Sequence, residues 1–282
     1  VKLKKYGKKF KIKKLYSNYK EMLKNEKLDC ISICTLADSH YDIIKIATKY
    51  VNGIFLEKPM TNSINQGLKI IKLSKKNNLK IQIDHQRRFS TFYQKICDFI
   101  KNEKLGKIQH VNIYYGAGIL NTGIHVFDLI NFFFDKVQYV EGWRGMSYSN
   151  NKDPNIDGLI ICKNNIKCNL ISLDVSNYRI FEMDIIGSKG RLKIDMGSNT
   201  AELYTINNSN KGLVFNELRP KSFPNTDQTP QIVSGLNNLL QSIENNENPL
   251  CDVKSGYSAL EISLALIESA KKNKVVSIPL KQ

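Results

Sequence analysis

Six cysteines are scattered through the 282 residues, at positions 30, 34, 97, 162, 168 and 251, and no two form a C-x-x-C pair. That spacing excludes a zinc ribbon and offers no disulfide framework. They read as free thiols of a reducing cytosol, with Cys30 and Cys34 in a buried strand. His40, His85 and His110 share no ligand spacing with cysteine or carboxylates, so no metal site is expected. Long apolar runs are missing too: the most apolar helical stretch is cut by Asp128 and Asn131, which excludes a membrane span. The first residues are basic and amphipathic, without the apolar centre of a secretory signal, and the expectation is a cytoplasmic chain. Nor does G-x-G-x-x-G occur anywhere, the turn that seats a pyrophosphate against a helix N-terminus.

Arginine is scarce. Six of the 42 basic residues are Arg, in a chain of net charge +16 and pI ≈ 9.4. A charge of that size raises a nucleic-acid partner as one reading. Arg is the preferred reader of phosphates and base edges, and its rarity sets the expectation at no nucleic acid. Abundant Lys, Asn and Ile fit instead a lysine-coated enzyme encoded by an AT-rich genome. The densest basic patch comprises Lys2, Lys4, Lys5, Lys8, Lys9, Lys11, Lys13 and Lys14. It suits contact with acidic sugars, phosphates or nucleic acid.

The first third of the chain reads as alternating strands and helices. Residues 28–34 (LDCISIC) are a short apolar run with β-branched residues, as in a strand buried on both faces of a parallel sheet. Ser39 with Asp42 marks a helix start, and Ile43, Ile44, Ala47 and Tyr50 recur at helical spacing. A second strand is expected over 53–56, an S-x-x-Q capping box at Ser63 and Gln66, a helix through Leu68, Ile71 and Leu73, and a third strand over 79–83. Parallel strands gather ligands at their carboxyl ends, where Thr35, Lys58 and Asp84 stand.

From about Lys107 the pattern changes. Runs over 108–115, 156–162, 166–175, 180–186, 191–195 and 201–206 follow without intervening helices, which argues an antiparallel sheet. One helix over 124–134 interrupts it, and two more follow, through Val233 to Ile243 and Val253 to Ile267. The expected fold is α/β plus α+β: a parallel sheet over 1–103, then a mixed or antiparallel sheet over 104–282.

The most informative stretch is "GIFLEKPM", residues 53–60, where a buried strand ends in Glu57, Lys58 and Pro59. With "CTLADSH" (34–40), "QRRF" (86–89), "GILNTGIHVFDL" (118–129) and the ending "ALEISLALIESAKKNKVVSIPL", it resembles the glucose-fructose oxidoreductase, inositol dehydrogenase and MocA family of nicotinamide-dependent sugar oxidoreductases. The resemblance covers nearly the whole chain and implies an incomplete Rossmann-type sheet over 1–103 and a substrate and oligomerisation domain over 104–282. It implies NAD or NADP as cofactor, held near Thr35, Leu36, Ser39, His40, Glu57, Lys58, Pro59, Gln86 and Arg88, Arg88 matching better than Arg87. It implies Lys58 as the cation at the reacting oxygen, His125 as acid/base, and a sugar or nucleotide-sugar substrate met by Lys58, Asn121, His125 and Asp128. A histidine suits that proton, with its ordinary pKa near neutrality. The family's Lys-Pro bond is cis, which would make Pro59 a device for aiming Lys58. Homodimers or homotetramers are implied as well. Asp84 and His85 are expected to line the nicotinamide end, and Trp143, Arg144, Tyr178 and Arg179 are candidate substrate contacts from the second domain.

Two departures stand out. Asn121 occupies the place where the family usually has aspartate, four residues before the histidine; an amide orients a hydroxyl but takes no proton. The first clear strand matches the family's fourth, residues 1–10 resemble the helix end after strand two, and Ile12 to Tyr16 resemble strand three. The expectation is therefore a chain that lacks the family's strand one, glycine turn and strand two, either a truncated dehydrogenase or a non-catalytic regulator or scaffold.

Overall fold

The computed structural model describes residues 1–145, 153–207, 216–224 and 230–280. Its first half carries α1 (Lys2–Lys9), α2 (Tyr19–Asn25), β1 (Cys30–Ile33), α3 (Ala37–Ala47), β2 (Gly53–Leu56), α4 (Ile64–Lys76) and β3 (Lys80–Ile83). A 3-10 turn, Gln86–Phe89, leads into α5 (Thr91–Lys101). Next come β4 (Ile108–Tyr115), a π-helical turn Ile119–Gly123, α6 (Ile124–Phe133), β5 (Val137–Arg144), β6 (Ile156–Cys162), β7 (Lys167–Ser172), β8 (Glu182–Gly187), β9 (Gly190–Asp195), β10 (Thr200–Ile206) and β11 (Leu218–Ser222). The chain closes through α7 (Gln231–Glu244), α8 (Val253–Lys272) and β12 (Val276–Ser277).

β1, β2 and β3 pair in parallel and in that order, Cys30 opposite Gly53 and Gly53 opposite Lys80. β2 and β3 are buried along their whole length; β2 is apolar throughout, while β3 buries Lys80 and Gln82 beside its isoleucines. Ile54, Leu56, Ile81 and Ile83 are at most 1 % exposed, each contributing about 1.5–3 kcal/mol of burial. The Ser63 side chain accepts from the Gln66 N–H and opens α4. α3 starts differently from the sequence reading: Leu36 caps it without a side-chain bond, and Ser39 lies inside the first turn, donating back to the Leu36 carbonyl at 2.8 Å.

Ile12 to Tyr16 form no strand. β1 pairs only with β2 among the described strands, and the segment is held by side chains instead: Lys14 pairs with Glu26 at 2.8 Å, and the Tyr16 hydroxyl donates to the same carboxylate. A strand needs a ladder partner, and none is there. As an edge strand β1 also leaves Cys30 half-buried and Cys34 exposed, so neither is the buried strand thiol the sequence suggested.

The larger sheet has nine strands in the order β11-β10-β9-β8-β4-β7-β6-β5-β12. It is mixed: β4 and β7 run parallel, Val111 opposite Cys168, and its other pairs are antiparallel. Packing and chain order cross over. α5 contributes Phe92, Tyr93, Ile96, Cys97 and Ile100 to the core of the large sheet, while Leu260 of α8 belongs to the core of the small one. α8 lies close against β3 because residue 256 is glycine; a Cβ there would collide with Ile83. The Gln82 amide donates to the Gly235 carbonyl and ties α7 to β3. The carboxyl ends of the parallel strands are thereby held against the π-helical turn and α6.

Candidate active site

β2 ends at Leu56, and the chain continues through Glu57 into a cis Lys58–Pro59 bond. From there the Lys58 ammonium reaches the π-helical turn, donating to the Asn121 carbonyl at 2.6 Å and to its Oδ1 at 3.3 Å. The Asn121 Nδ2 donates to the Ala117 carbonyl at 3.1 Å, which fixes the amide so that its oxygen faces Lys58. Burial pulls the Lys58 pKa down, and the charges of Glu57 and Asp153 act in the opposite direction.

The turn is itself built by Asp153, which the sequence reading missed. Its Oδ1 accepts from the Leu120 N–H at 2.8 Å and its Oδ2 from the Asn121 N–H at 2.9 Å. Gly118 opens the turn at φ +94, and a Cβ there would collide with the Asp153 carboxylate. Both conformation and space demand glycine. Asn155 Oδ1 takes the Gly118 N–H, and the Tyr115 hydroxyl both donates to the Ile156 carbonyl and accepts its N–H. A signal for Asp153 was present in the run D-P-N, a turn-forming sequence beside a strand.

His125 enters the first turn of α6, edge-on to His85 with ring centroids 6.1 Å apart. Burial, then the charges of Arg87, Lys58, His85 and Arg179, hold its pKa well below the usual histidine value, so the ring is neutral at neutral pH. His85, at the end of β3, is depressed to about 4 by burial. Beside it the Asp84 carboxyl is pushed up to about 6 by burial and by the charge and hydrogen bond of Glu57. Among the described residues, Asp84 Oδ1 and both ring nitrogens of His85 are buried with no hydrogen-bond partner.

The predicted residues divide into three groups. Lys58, Asn121 and His125 gather at the strand ends with Glu57, Asp84 and His85. Thr35 and Leu36 are exposed at the end of β1, Leu36 by 82 %; Ser39 is half-buried and donates to Thr35 Oγ1 at 2.7 Å. Pro59 and Gln86 are half-buried. The third group faces inward. His40 is fully buried between the carbonyls of Thr35, 3.0 Å away, and Met60, 3.3 Å away, so it braces the two strand-end loops and offers no surface to a ligand. Arg88 and Asp128 form a buried ion pair, with Nε 3.0 and 2.9 Å from the two carboxylate oxygens. Asp128 is 1 % exposed, and both its carboxylate oxygens are taken by Arg88. Arg88 is thereby a strut under α6.

Its neighbour Arg87 is half-buried against a different set of residues. The Arg87 Nε donates to the Tyr93 hydroxyl at 3.3 Å and Nη2 to the Met196 carbonyl at 3.2 Å. Trp143, Arg144, Tyr178 and Arg179 are all exposed. No group of three or more His, Cys, Asp or Glu among the described residues could hold a metal ion, and no helix among them is long and apolar enough to cross a membrane.

Known proteins share this fold. Residues 2–85 match the model of an oxidoreductase family with an NAD-binding Rossmann fold, and residues 115–278 match that of the family's C-terminal alpha/beta domain. The myo-inositol 2-dehydrogenase of Thermotoga maritima is 19 % identical over 288 residues, covering 95 % of this chain and 85 % of that protein. The uncharacterized oxidoreductase YrbE of Bacillus subtilis is 27 % identical over 135 residues, 43 % of this chain and 40 % of its own length. Among solved structures, a levoglucosan dehydrogenase in complex with NADH and L-sorbose superposes with a TM-score of 0.84 at 13 % identity, over 99 % of this chain and 87 % of that one.

Proposed function

The chain belongs to the Gfo/Idh/MocA family of oxidoreductases, and from that premise we propose that it transfers hydride between a nicotinamide cofactor, NAD or NADP, and a secondary alcohol of a sugar, cyclitol or nucleotide sugar. The observation that carries this reading is the meeting of a partly desolvated ammonium, Lys58, with a neutral imidazole, His125, at the carboxyl ends of parallel strands. The relatives named above lend the substrate class.

The nicotinamide end of the cofactor fits what the strand ends offer. Asp84 Oδ1 and the two nitrogens of His85 are buried polar atoms in want of partners, and a carboxamide carries both a donor and an acceptor. Thr35, Leu36, Glu57 and Pro59 border the same place. When bound, the nicotinamide ring supplies the hydride acceptor.

The chain's own residues handle the proton and the charge. An ammonium has three N–H donors; two of Lys58's point to Asn121, and the third is available to the reacting hydroxyl oxygen. As the carbon–hydrogen bond breaks, that donor steadies the developing alkoxide, a contact stronger in the transition state than in the ground state. His125, kept neutral, accepts the hydroxyl proton at a ring nitrogen. The cations around it destabilise the imidazolium, so the proton passes readily to water. Asn121 orients the ammonium through Oδ1, and Asp153 and Gly118 hold Asn121.

The same reading takes the protein as a cytoplasmic homodimer or homotetramer, supported by its free thiols and by the half-buried outer face of the large sheet at Asn112, Tyr114 and Asp184. A label-transfer experiment tests the chemistry. Incubation with NAD or NADP and a panel of sugars and cyclitols deuterated at carbinol carbons should place deuterium on C4 of the reduced nicotinamide. Oxidation with the deuterium found only in water would exclude direct hydride transfer.

A further inference from the structure

Arg87 and Arg179 converge on one aromatic ring. Their guanidinium carbons lie 5.0 and 5.1 Å from the centroid of Phe181, in a chain with six Arg against 36 Lys. Arg87 is locked from several sides, by the Tyr93 hydroxyl, the Met196 carbonyl and the Phe181 ring. What remains is Nη1, buried and without a hydrogen-bond partner among the described residues. A guanidinium N–H left so costs stability unless something arrives to accept it. Neither Arg87 nor Arg179 makes an ion pair among the described residues. The carboxylate of Asp195, whose titration feels Arg179, is already bonded by the Gly197 and Ser198 N–H groups and the Ser198 hydroxyl.

The position of this pair matters as much as its chemistry. Arg87 follows His85 by two residues, His85 stands edge-on to His125 with ring centroids 6.1 Å apart, and Arg179 shares the Phe181 ring with Arg87. That chain of contacts sets the pair on the His85–His125 side of the site. Arginine is also the choice of cation for planar, two-point recognition of oxyanions, where lysine is a point charge. We infer that Arg87 and Arg179 form an oxyanion subsite beside Lys58 and His125, and that the substrate is a hydroxy compound bearing a carboxylate or a phosphoryl group. The inference rests on the hydride-transfer reading for which carbon reacts, but its charge preference is read by binding alone. A neutral sugar offers Nη1 only hydroxyl oxygens, weaker acceptors for a guanidinium than an oxyanion.

Calorimetric titration of the full chain with D-glucuronate, D-glucose 6-phosphate and D-glucose tests it and separates the two sources of the anion. One anion or both should bind about 10- to 100-fold more tightly than glucose, the worth of hydrogen bonds to a charged group. The preferred anion names the substrate's group. Arg179→Gln, at an exposed position, and Arg87→Gln should each bring the anion-to-glucose ratio down toward one, with circular dichroism showing the fold retained. Rising NaCl should lower the affinity for the anion and not for glucose. Equal affinities for the three ligands, a preference that survives both substitutions, or no measurable binding of either anion overturns the inference. Preference without deuterium transfer would remove the hydride reading and leave the subsite standing; transfer without preference would do the reverse.

Discussion

Lys58 Nζ lies 2.6 Å from the main-chain carbonyl of Asn121, a contact between residues 63 apart in sequence. It joins the end of a parallel strand to the turn that launches α6, so the ammonium and His125 hold fixed places relative to each other. Because one acceptor is main chain, the contact survives any change of the Asn121 side chain. The geometry of the turn, and not the amide alone, is what aims Lys58.

Gly118→Ala should therefore damage the site from a distance. The position needs φ +94 and space against Asp153, and alanine supplies neither. A loss of about 1–3 kcal/mol in urea unfolding is expected for the strained backbone. A larger fall in kcat than in KM would show that the turn aims Lys58. Wild-type stability and rate would mean the turn has slack the structure does not show.

The Arg88–Asp128 pair predicts a stability effect. Asp128→Asn leaves a buried guanidinium without its counter-charge, at a cost of about 3–5 kcal/mol. Replacing both, Arg88→Met with Asp128→Leu, should cost less than the single change, since no unpaired charge remains. Denaturant midpoints of the two variants measure this. A double variant less stable than Asp128→Asn would contradict it.

Much of this was legible beforehand, and the rest failed for physical reasons. The run over 53–56 is unbroken and apolar because both faces are covered, and it reads plainly; the strand within 79–83 reads from its β-branched residues, although its Lys80 and Gln82 are buried too. The Ser63 cap read plainly as well, since its chemistry is local. Ser39 has the same signature but bonds backward to Leu36, a choice made by the loop after β1. Val137–Arg144 is a strand beyond those the sequence predicts, and the parallel pairing of β4 with β7 is a long-range event that no local pattern records. The resemblance favours Arg88 over Arg87 for the site, yet Arg88 is the one buried against Asp128. In a 3-10 turn adjacent side chains diverge, and only the position of Asp128 decides which one turns inward.

Asp84 gives a pH signature. Its folded pKa of about 6 lies above the ordinary 3.8, so the native state holds a proton that the unfolded chain releases between those values. Stability from this group is present below the lower pKa and lost as pH rises through the upper one. Asp84→Asn removes the loss. The variant should match the wild type near pH 4 and exceed it by about 1–3 kcal/mol at pH 8, read from thermal melts at both. An advantage at pH 4 that vanishes at pH 8 would reverse the assigned sign.

The central claim is that Lys58 and His125 carry the reaction, and the most direct measurement is the rate of nicotinamide-dependent oxidation by wild type, Lys58→Met and His125→Gln on one alcohol that the wild type turns over. Each variant should keep its fold and lose about 10²- to 10⁴-fold in kcat. The wild-type rate should hold down to pH values well below 6.5, because His125 stays neutral there. A folded variant at either position that oxidises the alcohol at the wild-type rate would contradict the account.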